Sequence, residues 1–103
     1  MTVTGGEAER AEPALDSVEV GTYLQFVTSD WFVHEVLFEL DSLPADARAF
    51  LERTDQTASP PLLHRDARFV VSFADAPPGR YPYRLEGNGS PGSGVLVVVP
   101  PPR

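Results

Sequence analysis

The chain has no cysteine, which excludes disulfides, a thiolate nucleophile, an iron–sulfur cluster and any thiolate-held metal. It has no lysine either, and its eight basic residues, all arginine, are outnumbered by fifteen acidic ones. The net charge of −7 repels phosphate backbones and anionic lipid headgroups, so nucleic acid is not an expected partner. No apolar run approaches the ~18 residues that cross a bilayer as a helix, and residues 1–10 offer neither a basic start nor an apolar stretch. A direct membrane span and an export signal are therefore not expected. If residue 1 is the native start, this places the chain in the cytoplasm or on the cytoplasmic face of a membrane complex; a leader removed upstream would place it in the periplasm. Catalytic signatures are missing as well: there is no HExxH, no phosphate loop, no dinucleotide fingerprint and no motif-supported Ser/His/Asp set. The glycine-rich residues 87–94 precede a strand-like run, so no helix N-terminus is supplied for a phosphate. Neither an enzyme nor a bound cofactor is expected.

What is present suits one small folded domain. The length is 103 residues, and 42% hydrophobic against 22% charged residues is close to the globular norm, so a modest core is within reach. Residues 1–14 are acidic and Gly/Ala-rich and read as a flexible or surface-laid N-terminal arm; the domain proper spans 15–99; residues 100–103 form a Pro-rich tail. Within the domain, residues 17–20 and 22–27 alternate with the period of strands, punctuated by Gly21, and residues 33–40 form a more continuously apolar third strand. The period changes over residues 42–53, where Leu43, Ala47, Phe50 and Leu51 share one face of a short helix with Ser42 as its N-cap. Phe69, Val71 and Phe73, then Tyr81, Tyr83 and Leu85, mark the inner faces of two further strands, and residues 95–99 the last. Short strands at regular spacing with turn signals predict an all-β Greek-key β-sandwich with one short helix.

The segment from Gly79 through Tyr81, Tyr83, Leu85, Asn88 and Gly92 to the valine-rich 95–99 resembles the copper-binding end of a cupredoxin, the plastocyanin-like family. There, a Gly and two aromatic positions lead to a Cys, a His, and a Met before the final strand. The resemblance sets Leu85 where the Cys stands, Asn88 at the His, and Gly92 or a short deletion at the Met; His34 alone matches a ligand, the upstream His. It thus implies a copper-free, divergent member, with His34, Leu85, Asn88 and Gly92 as the positions of a degenerate site. A blue-copper centre requires a thiolate, two imidazoles and a weak axial ligand, and Leu85 has no lone pair to give.

Two uses of the remaining residues stay open. His34, with His64 and a carboxylate such as Glu35 or Asp66, is a minimal set for a type-2-like metal or small-ligand site that includes the 87–94 loop. Alternatively, His34 is a buried, hydrogen-bonded residue beneath the Asn88 loop. The paired carboxylates Asp30/Glu35 and Asp75/Glu86 are expected to be solvated. Surface is what else the resemblance points to: the family docks partners around the metal-bearing end, and here that end gathers Trp31, Phe32 and Pro91, of types that carry interface energy, unless Trp31 or Phe32 caps the core instead. The expected role is that of a non-catalytic interaction module, a structural or accessory subunit of a larger complex, with membrane-bound respiratory or photosynthetic complexes as the family's usual company.

Overall fold

The computed structural model describes residues 1–5, 8–12, 15–87 and 89–101, with the side chain of Leu15 left aside. Their elements follow the alternation seen in the sequence. β4 (Tyr23–Thr28) turns Leu24, Phe26 and Thr28 inward, β5 (His34–Phe38) turns His34, Val36 and Phe38, and β7 (Gly79–Gly87) turns Tyr81, Tyr83 and Leu85. β6 (Arg68–Ser72) contributes Val71, and β8 (Gly92–Val99) contributes Leu96 and Val98. Period-2 alternation of this kind gives each strand one face for the core and one for water.

Three short strands precede these: β1 (Thr2–Thr4), β2 (Arg10–Glu12) and β3 (Leu15–Glu19). Two four-stranded sheets result, ordered β2-β1-β4-β6 and β3-β8-β7-β5. β1 runs parallel to β4 and β3 parallel to β8, while the other pairs are antiparallel. From β2 to β7 the chain changes sheet at each connection, so within a sheet only β1–β2 and β7–β8 are neighbours that also follow one another in sequence. The architecture is a β-sandwich of two mixed sheets. Its core is aromatic, with the Phe26 ring edge-on to Tyr83 at 5.3 Å and Phe73 edge-on to Tyr81 at 5.7 Å. The Tyr81 hydroxyl donates to Pro77 O at 2.7 Å and ties the turn before β7. Burial, reinforced by the negative charge of Asp46, pushes its pKa up to about 12.

Two expectations are corrected. Among the described residues of the stretch expected as an arm, β1 and β2 extend the first sheet with Val3 and Ala11 buried. The helix α1 (Ala45–Arg53) is capped not by Ser42, which closes a 3-10 turn at Leu40–Ser42, but begins after Pro44. The fixed proline φ of −56° with an extended ψ of 151° breaks the chain there, leaving Ser42 a turn too early to reach the helix N-terminus. The expected inner face is kept, with Ala47, Phe50 and Leu51 buried and Leu43 packed against them. Gly21, with φ of +94°, makes the turn from β3 to β4 that other residues rarely adopt.

Candidate functional site

β5 opens on His34, whose inward-facing ring is fully enclosed at one end of the sandwich. Burying an imidazole is costly unless both nitrogens find partners. They do. Nδ1 lies 2.5 Å from Glu9 Oε1, and Nε2 lies 2.6 Å from Asp30 Oδ1. The two carboxylates come from different places, Glu9 from the segment before β2 and Asp30 from the turn between β4 and β5.

Asp30 also organises backbone. Its Oδ2 accepts from Gly5 N at 2.8 Å, and its Oδ1 accepts from Phe32 N at 3.0 Å as well as from the ring. Glu9 is placed by its own backbone, whose N–H donates to Ser90 O at 2.8 Å, and its side chain is wholly buried. Three glycines make room for it. A Cβ on Gly92 would fall 2.0 Å from the Glu9 carbonyl oxygen, one on Gly87 2.5 Å from Glu9 Oε1, and one on Gly5 2.6 Å from Oε2. Oε2 itself has no hydrogen-bond partner among the described residues.

The electrostatics follow from the geometry. Burial alone would lower the pKa of His34, but hydrogen bonds to Asp30 and Glu9, with the charges of both, outweigh it and raise the pKa above the ordinary histidine value. Burial would likewise raise Asp30, yet the Gly5 amide, the His34 ring and the Phe32 amide favour its ionised form, and its pKa lies below the usual carboxylate range. With an acceptor against each nitrogen, the ring satisfies both as an imidazolium.

This donor set does not fit a copper ion. Both nitrogens of His34 are engaged on opposite edges of the ring, so no lone pair points at a shared centre. Leu85, at the position the resemblance assigns to the Cys, is fully buried in the core opposite Val36 and Gly92. Gly92 opens β8 against the Glu9 backbone, and Asn88 lies outside the described residues. Among the described residues, no group of three His, Cys, Asp or Glu side chains is placed to hold a metal. His64 is exposed, its ring 3.0 Å from Arg65 O, so it does not join His34 in a site. Asp30 is no solvated carboxylate beside Glu35, and Glu35 lies opposite Glu86, which pairs instead with Arg84 at 3.2 Å.

Immediately outside this cluster the surface is apolar. Trp31, Phe32 and Val33 are 74%, 44% and 38% exposed, and Pro91 is exposed beside the Ser90 that anchors Glu9. The Phe32 ring, the His34 ring and the Glu9 carboxylate all meet at Gly5, so turn and cluster form one end of the molecule. Glu9 is the residue that sequence reasoning missed. A glutamate in an acidic, glycine-rich stretch gives no sign of burial, and its partner is twenty-five residues away.

No protein-family model and no curated protein matches the sequence. Solved structures do. The Cu-containing nitrite reductase (NirK) from Thermus scotoductus SA-01 superposes with a TM-score of 0.65 at 23% identity, over 98% of this chain and 22% of that one. The oxidized form of plastocyanin from Dryopteris crassirhizoma gives 0.65 at 18% identity, over 96% of this chain and 100% of its own. A mutant plastocyanin of fern gives 0.63 at 18% with the same coverage. The chain thus spans about a fifth of the reductase and the whole length of a plastocyanin. It has the cupredoxin fold, and at one end of that fold His34 is clamped between two carboxylates.

Proposed function

We infer that this chain is a non-catalytic protein-interaction module, an accessory subunit or domain of a larger assembly, with Trp31, Phe32, Val33 and Pro91 as its docking surface. The observation that carries this reading is the run of three consecutive exposed hydrophobic residues on a turn tied down from within. A tryptophan 74% exposed contributes almost nothing to the core, whereas a pre-ordered aromatic anchor loses little entropy when a partner covers it. Among the described residues no donor set at this end fits copper, which favours a role for its surface over electron transfer through copper. The neighbours support the setting: one is a domain-sized part of a much longer copper enzyme, and the other is a plastocyanin. By analogy with them, the host is an electron-transfer complex, respiratory or photosynthetic, and membrane-bound. Among the described residues no helix is long and apolar enough to cross a membrane.

The test is assembly in the native source. Tagged chain should co-purify with a defined complex, and Trp31→Ala should weaken that association by about 2 kcal/mol or more, roughly thirtyfold, with an unchanged melting temperature. A Trp31→Ala chain that folds and assembles normally would move the interface elsewhere.

A further inference from the structure

The turn that presents Trp31 is built on an acceptor whose third partner is a titratable ring. Asp30 holds the Gly5 amide, the Phe32 amide and His34 Nε2 together, so the conformation of residues 30–33 and the docking of the N-terminal segment share one carboxylate. We propose that the proton on His34 Nε2 is a switch for this surface: while it is present, the Trp31 turn is fixed, and when it leaves, the turn is released. The proposal rests on the reading of that turn as the docking surface.

The direction follows from burial. An imidazole that gives up one proton keeps the other on the nitrogen whose acceptor can least do without it. Glu9 is entirely enclosed, with its second oxygen unpartnered among the described residues, whereas the Asp30 side chain is 22% exposed and can turn to water. The proton therefore leaves from Nε2 to solvent and Nδ1–H stays with Glu9. A nitrogen lone pair would then face a carboxylate oxygen at 2.6 Å, a repulsive contact that is relieved by Asp30 swinging outward. The Phe32 and Gly5 amides go with it.

No other described charge shares the pocket. On β7 the residue opposite His34 is Gly87, and Glu35 and Glu86 lie on the outward side of β5 and β7. The segment paired to His34 from the other side presents Leu62, and the His64 ring beyond it is exposed. The raised pKa of His34 puts the switch above the ordinary histidine range, and loss of the Asp30 charge at low pH opens the same contact from the acid side.

Trp31 is the sole tryptophan and serves as its own reporter. In the full chain carrying His64→Gln, the remaining His34 ring protons are followed by NMR while Trp31 emission and anisotropy are recorded from pH 5 to 10. The expected result is one shared midpoint above pH 6.5, with Trp31 anisotropy falling as the ring loses its proton. Glu9→Gln, which keeps an acceptor but removes a charge, should move both midpoints down together by about one unit or more. A Trp31 signal that stays flat through the His34 titration, or changes at a different pH, overturns the switch even if Glu9→Gln fails to fold. Loss of assembly in Trp31→Ala beside a flat Trp31 titration would retain the docking surface without its switch; a shared midpoint beside normal assembly of Trp31→Ala would retain the switch and move the docking surface.

Discussion

Removing the Glu9 carboxylate is the sharpest perturbation this structure invites. In Glu9→Ala, the His34 Nδ1–H loses its acceptor inside a site with no exposure, and a hole opens between Gly5 and Gly87. Breaking a buried ion pair by deleting one partner costs about 3–5 kcal/mol, and the lower end is expected here, because Asp30 still faces Nε2 while Nδ1–H is left desolvated without an acceptor. Glu9→Gln keeps an acceptor for Nδ1–H, and Asp30 still balances the imidazolium, so about 1–2 kcal/mol is expected. Domains of this size are stable by roughly 5–15 kcal/mol, so the alanine variant would forfeit a large fraction of the total. Urea denaturation at pH 6 reads both values from the midpoints, provided the m-value holds.

A steric variant reaches the same contact without touching charge. The Cβ of Gly92→Ala would overlap the Glu9 carbonyl, a backbone atom that moves only if the whole segment moves. It should therefore resemble Glu9→Ala, and combining the two should cost less than their sum, since both undo one docking. A Glu9→Ala midpoint within about 0.5 kcal/mol of the unaltered protein would refute the reasoning. Glu9 would then be solvated in the working molecule, and the N-terminal strands would be dispensable.

Much of the fold was legible in the sequence because long strands declare their period. Residues 79–87 and 92–99 carry enough turns of the pleat for Tyr81, Tyr83, Leu85, Leu96 and Val98 to line up as one face, and the helix over 45–53 announces itself by Ala47, Phe50 and Leu51. β1 and β2, of three residues each, are too short to show alternation; each buries a single hydrophobic residue, Val3 or Ala11. The site divided along the same line. His34 and Leu85 are singled out by the family resemblance of the segments around them, and both side chains are buried. Glu9 was hidden because buried glutamates are rare, and what makes this one tolerable is assembled from Gly5, His34, Gly87 and Gly92, which only the sheet topology brings together. Asp30 was seen but misjudged, since one residue letter does not tell a solvated carboxylate from one accepting two amides and a ring.

The remaining expectations concern stability. Leu85→Ala should cost about 2–5 kcal/mol, as for a fully enclosed leucine whose neighbours cannot collapse into the space, and a loss below about 0.5 kcal/mol in thermal or urea melts would place its side chain outside the core. Stability should also have a plateau in pH bounded by the two shifted groups. His34 has a folded pKa above its unfolded value near 6.5, so its contribution is complete below that value and is lost as pH rises toward the folded pKa, at up to about 1.4 kcal/mol per pH unit. Asp30 is shifted the other way, so its contribution is complete above the unfolded value near 3.8 and is lost as pH falls through the lower folded value. The plateau therefore lies between about pH 4 and 6.5, and urea midpoints measured from pH 3 to 9 should decline on both sides of it. The alkaline decline is the diagnostic one, because in His34→Gln it should flatten, whereas in His64→Gln, whose ring is exposed, it should remain. A decline that survived in His34→Gln would mean that the buried imidazole is not the group titrating, and that the clamp of two carboxylates contributes little to holding this end of the sandwich closed.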